Sequence, residues 1–194
     1  MTIGWLARRR AARQAAKRAA AQAARRAALA SPDAWAPPLG SGPWRVWYGE
    51  CCDALLAYDR ITDGLPAGAL RERLVHLRDD VVGTLDHARS LAELGAFLEP
   101  AGPQRDPLLL HALATDPLGD LTNQLGPTPT ERLRDALLAV RGDLLDITDE
   151  AARLAVQLRE NPHATDVTEW LEGLAAGIAA ARNAAWIPIG YREP

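Results

Sequence analysis

Cysteine, lysine, phenylalanine and methionine are almost missing from this sequence: two Cys and one each of Lys, Phe and Met in 194 residues. Cys51 and Cys52 are neighbours, a spacing that hinders an ordinary disulfide, and there is no third thiol to pair with either. A disulfide framework is thereby excluded, and such sparing cysteine usage points to a reducing, cytoplasmic setting. No apolar run approaches the roughly 18 residues of a membrane span. Nor does the N-terminal stretch read as a secretory signal, because its cations lead into Ala-Gln-Ala-Ala-Arg-Arg and not into an apolar core with a cleavage site. Strand signals are absent as well: β-branched residues are scattered, and no alternating run has hairpin turn chemistry beside it. The chain also lacks a Gly-rich phosphate loop, a Gly-x-Ser-x-Gly elbow, a His-Glu-x-x-His pair and a Cys-x-x-Cys. These absences favour a protein that is not an enzyme and uses no cofactor.

What is present is a strong charge asymmetry. The net charge of -3 averages two unlike regions. Residues 1–30 hold Arg8, Arg9, Arg10, Arg13, Lys17, Arg18, Arg25 and Arg26 with no Asp or Glu, while the remaining 164 residues carry 14 basic and 25 acidic side chains. This basic segment is rich in Ala and free of Pro, so it favours helix locally, although a lone helix of this length is marginal in water. Residues 31–43 follow with four prolines and two glycines, which forbid a continuing helix and read as a linker.

From residue 44 onward, apolar residues recur at alternating spacings of four and three. Trp44, Tyr48, Cys51, Leu55, Tyr58 and Thr62 mark one helix, which Asp63-Gly64-Leu65-Pro66 ends. Leu70, Leu74, Leu77, Val81, Thr84, Ala88, Leu91, Gly95 and Leu98 mark a longer one, stopped by Pro100. Thr128-Pro129-Thr130-Glu131 supplies a hydroxyl cap, a proline in the first helical position and a carboxylate three residues after the cap. Behind it run Leu133, Leu137, Val140, Leu144, Ile147, Ala151, Leu154 and Leu158, ending at Asn161-Pro162. A last stripe comprises Val167, Leu171, Leu174, Ile178, Ala181 and Ala185, with Thr165 or Asp166 as its cap.

Short links at 63–66 and 161–165 require antiparallel neighbours. The expected fold is all-α: an elongated antiparallel helical bundle of two helical hairpins, two helices long and two shorter, with a separate basic N-terminal helix. The expected organisation is 1–30 as a basic arm, 31–43 as a linker, 44–186 as a coiled-coil-like bundle and 187–194 as a tail. A short helix at 108–114 is expected to cover the thinner half of the long pair, because Leu108-Leu109-Leu110 is otherwise exposed.

Three constellations invite chemistry. His76, Asp80 and His87 share one side of the second stripe's helix, but the two histidines lie about 16 Å apart along its axis and cannot share an ion. Asp143, Asp146 and Glu150 line one edge of the next helix, where they form a solvated flank, hold a cation, or receive the protein's own basic arm. His111 and His163 stand singly near prolines and read as surface residues. No metal site is expected, and a helical enzyme or metal protein built on these groups is the least favoured reading.

The basic arm is the sharpest functional signal, since cations without counter-charge gain most from an anionic surface. Trp5 stands just ahead of them, where an aromatic interfacial anchor is useful. Trp5, Arg8, Arg9, Arg10, Arg13, Lys17, Arg18, Arg25 and Arg26 form the expected anionic-surface site. Trp186, Ile187, Ile189 and Tyr191 fall outside the heptad pattern: the favoured reading packs them against the thinner half of the bundle, and the alternative makes them the candidate protein-contact residues. The sequence is read as a cytoplasmic, peripheral-membrane interaction or scaffold protein whose arm meets an anionic membrane. Sequence-independent nucleic-acid binding is the alternative, and the bundle is expected to take a protein partner or a second copy.

Overall fold

The computed structural model describes residues 3–102, 127–161 and 167–185. The chain is all-α, with no strand among the described residues. Its helices are α1 (Ile3–Ala30), α2 (Pro32–Trp35), a turn of 3-10 helix at Pro37–Leu39, α3 (Pro43–Gly64), α4 (Ala69–Leu98), α5 (Pro129–Glu160) and α6 (Val167–Ala185). The segment 108–114 and the caps at Thr165 and Asp166 lie outside the described residues.

The helix ends follow local chemistry. Pro43 occupies the first turn of α3 and Pro129 that of α5, positions where a missing N–H costs nothing. The α5 start is a complete capping box: the Glu131 N–H donates to Thr128 Oγ1 at 3.1 Å, and the Thr128 N–H donates to Glu131 Oε2 at 2.8 Å.

One apolar core joins the helices. The heptad residues of α3 from Trp44 to Thr62 are all buried, as are those of α4 from Leu70 to Gly95 and of α5 from Leu133 to Leu154. In α6, Leu174, Ile178 and Ala181 are buried and Leu171 is half-buried. Buried hydroxyls satisfy themselves on carbonyls: Thr62 donates to the Tyr58 carbonyl, and Thr148 to those of Leu144 and Ala54. α3, α4 and α5 pack mutually, and α6 lies against α4 and α5, whereas α3 and α6 share no comparable interface.

The expected linker at 31–43 is not an extended spacer. Its prolines sit in the first turns of short helices, where they are tolerated, and its apolar residues turn inward. Trp35 and Leu39 are buried. The Trp35 ring meets Tyr48 edge-on at 5.3 Å, and its Nε1 donates to the Leu29 carbonyl at 3.0 Å. Burial of two large side chains is what draws this segment onto the core, against the proline and glycine content that favours a loop.

At the junction of α3 with the end of α4, the backbones approach closely. Trp44 is fully buried, and its Nε1 donates to the Glu99 carbonyl at 2.8 Å. A Cβ on Gly95 would lie 2.5 Å from the Trp44 ring, so this heptad position admits no side chain.

Candidate functional site: root and shaft of the basic helix

The basic helix divides into two parts that the sequence alone does not separate. Its C-terminal root lies on α3 and α2, where Leu29 is buried in the core. Its outer shaft stands in solvent: the described side chains between residues 12 and 20 are all exposed, Arg13, Lys17 and Arg18 among them. Trp5, Arg8, Arg9 and Arg10 lie on the first turns of α1.

Arg25 and Arg26 belong to the root and are neutralised there, which removes them from the expected surface-binding set as free cations. Arg26 Nε donates to Asp59 Oδ2 at 2.7 Å, and its Nη1 donates to Asp63 Oδ2 at 2.6 Å. Arg25 Nη2 donates to Asp86 Oδ1 on α4 at 2.7 Å. Asp59 is the centre of this cluster. It is almost fully buried and is also gripped side-on by the equally buried Arg78, whose Nη2 donates to Oδ2 at 2.8 Å and whose Nε donates to Oδ1. Burial alone would push the Asp59 carboxyl up, but the hydrogen bonds from Arg78 and Arg26 outweigh it and hold the group below its ordinary value. A buried carboxylate with two guanidinium partners is thus the fixed point to which the basic helix is tied.

With Arg25 and Arg26 spoken for, six cations remain on α1, of which positions 8 and 18 fall on the same side as Arg26 and Leu29. At about 100° per residue, positions 9, 10, 13 and 17 share one side of α1, opposite the side on which Arg26 and Leu29 meet the body. No charged side chain of the body forms an ion pair with Arg13, Lys17 or Arg18 among the described residues.

The other constellations fall apart geometrically or stay open. His76 is exposed, whereas His87 is half-buried, and burial lowers its pKa. No three His, Cys, Asp or Glu side chains among the described residues gather as a metal site. Cys51 and Cys52 are both buried, and burial pushes their thiols up to about 12 and about 11. Asp143, Asp146 and Glu150 face a groove between α5 and α6. Asp143 is raised above its ordinary value, by burial and then by the neighbouring Asp146 charge. Trp186, Ile187, Ile189, Tyr191, His111 and His163 lie outside the described residues.

Sequence reasoning missed the Asp59–Arg78 pair. Its available signal is position: Asp59 and Arg78 adjoin the stripe residues Tyr58 and Leu77, with opposite charge on consecutive helices. No described helix is long and apolar enough to cross a membrane. Comparison with protein-family models, with curated proteins and with solved structures finds no match for this chain.

Proposed function

We propose that this is a non-enzymatic interaction or scaffold protein, in which α3 to α6 form an elongated antiparallel bundle of two hairpins and α1 is a separate basic helix that meets an anionic membrane surface in the cytoplasm. The observation that supports this reading is the uncompensated shaft. Arg13, Lys17 and Arg18 are exposed and make no ion pair with the acidic body, although that body neutralises Arg25 and Arg26 a turn or two further on. Each cation near an anionic leaflet contributes about 1 kcal/mol, so Arg8, Arg9, Arg10, Arg13, Lys17 and Arg18 together suffice for reversible attachment. Trp5, in the first turn, supplies an interfacial aromatic at the tip. Because its root is tied to α3 and α4, the helix is held at a fixed point on the body, and whatever the shaft binds is brought to the bundle.

Co-sedimentation with vesicles tests this. The full chain is expected to pellet with vesicles containing phosphatidylserine and not with phosphatidylcholine alone, to be released by salt, and to lose binding when Arg8, Arg9, Arg10, Arg13, Lys17 and Arg18 are replaced by Ala. Retention of unrelated duplex DNA with no vesicle binding, unaffected by Trp5→Ala, transfers the function to nucleic acid. Binding to neither surface overturns the proposal.

A further inference from the structure

A groove between α5 and α6, lined by none of the residues that hold the root of α1, has a volume of about 810 Å³. Its α5 wall is acidic: Asp143, Asp146, Asp149 and Glu150 line it, and Glu169 of α6 joins them. Arg153 is the cation that lines it, with Nη1 3.5 Å from Glu150 Oε2. Asp143, Asp146, Asp149 and Glu169 form no ion pair among the described residues. The α6 wall carries small residues one turn apart, Gly173, Gly177 and Ala181, with Ala180 beside them, and Trp170 and Leu174 complete it. A Cβ placed on either glycine would meet nothing within 4 Å, so the wall is open to a closely approaching backbone.

Those two properties describe what would fill the groove: a helix that is cationic and whose contact side is small. The shaft of α1 has both. Ala12, Ala16, Ala20 and Ala24 recur every four residues along it, flanked by Arg13 and Lys17. The chain's own shaft is not seated there, since its described side chains from 12 to 20 are exposed and its root is fastened to α3, Asp59, Asp63 and Asp86. α3 and α6 have no substantial interface, so the root and the groove lie on different sides of the α4–α5 pair. A second molecule is free of that constraint.

We propose that the α5–α6 groove seats the basic helix α1 of a second copy of this chain, with Asp143, Asp146, Asp149, Glu150 and Glu169 facing its arginines and the Gly173–Gly177 wall against its alanines. Reciprocal exchange closes a two-fold dimer in which each protomer lends its shaft to the other. The same cations then face a choice between a partner's groove and a surface, so self-association and surface binding compete. This competition rests on the function proposed above, but the docking itself does not.

Charge swapping tests it. All the groove residues to be changed are exposed, so their replacement leaves the core intact. A groove variant, Asp146→Lys with Asp149→Lys and Glu169→Lys, and an arm variant, Arg10→Glu with Arg13→Glu and Lys17→Glu, are compared with the unaltered chain by sedimentation velocity at low and high salt. The unaltered chain is expected to dimerise at low salt and dissociate with added salt, and each variant alone to self-associate about tenfold or more weakly. An equimolar mixture of the two variants is expected to regain association, because each then offers the other a complementary helix and groove. A chain that stays monomeric at low salt overturns the proposal, as does a groove variant that dimerises like the unaltered chain, or a mixture that fails to associate. Vesicle binding read in parallel separates the two ideas: the groove variant is expected to bind phosphatidylserine vesicles at least as well as the unaltered chain, and loss of vesicle binding in every variant, with dimerisation as predicted, removes the surface-tethering function and leaves the docking in place.

Discussion

At its root, α1 sets Arg25 and Arg26 against Asp86, Asp59 and Asp63 and buries Leu29, whereas along residues 12–20 a similar mixture of Ala and basic residues stands in solvent. Propensity and composition barely distinguish the two stretches, so the difference comes from what the body offers. Where the body carries a carboxylate already taken from water, such as Asp59, a guanidinium that reaches it becomes structural. Where the body offers none, the cation stays hydrated and its charge remains available to another molecule. One basic helix thus holds both an anchored root and an exposed shaft, and the boundary between them falls near residue 22, where the side chains first become half-buried.

The largest test of this division is Arg78→Ala. It leaves Asp59 buried with Arg26 alone, and breaking a buried ion pair by removing one partner is expected to cost about 3–5 kcal/mol in urea or thermal unfolding. Leu29→Ala comes next, at about 2–4 kcal/mol, since it removes the apolar contact of the root with the core. Hydrogen exchange in residues 22–30 is expected to rise with it, while exchange in α5 changes little until the whole fold opens. A Leu29→Ala variant that unfolds like the parent would show that the root does not depend on the core.

Acid sharpens the same contrast. The Asp59 carboxyl is held below its unfolded value of 3.8, so the stability it contributes is fully present above that value and is lost as pH falls through the depressed folded one. The parent is therefore expected to lose more stability than Asp59→Asn between pH 5 and pH 2. Parallel acid profiles for the two would mean that Arg78 and Arg26 do not hold the carboxylate in its charged form.

Much of the body is legible in the residues themselves. Pro43, Pro129 and the Thr128–Glu131 capping box set helix starts by local chemistry, and the four-three spacing selects the buried side of each long helix because 3.6 residues per turn leave no other continuous apolar stripe. The segment 31–43 was harder to read. Proline and glycine describe what a backbone cannot do and say nothing of where Trp35 and Leu39 are buried; for Trp35 that depends on Tyr48 and Leu29, on the two flanking helices. The fate of Arg25 and Arg26 was illegible for a related reason: their partners are 33 to 61 residues away in sequence, and an ion pair leaves no periodic trace. The basic site itself was legible as charge, but its division into root and shaft required the fold.

The smallest effects on stability are expected in the shaft, and that is why they discriminate best. Arg26→Ala is expected to cost about 1 kcal/mol, because Arg26 is one-third exposed and Arg78 still satisfies Asp59. Arg13→Ala, Lys17→Ala and Arg18→Ala are each expected to change unfolding by no more than about 0.5 kcal/mol, since these side chains touch no carboxylate and Ala is at least as good a helix former. If the shaft faces an anionic surface, each of the same three substitutions nonetheless weakens vesicle binding by about 1 kcal/mol, or roughly fivefold. For Arg25→Ala and Arg26→Ala the order reverses, with stability falling and vesicle binding changing less, because their guanidiniums are already engaged. Paired measurement of unfolding and vesicle affinity across these five positions therefore reads the root–shaft boundary directly, and equal vesicle losses at all five would show that Arg25 and Arg26 release their aspartates to join the shaft at the surface.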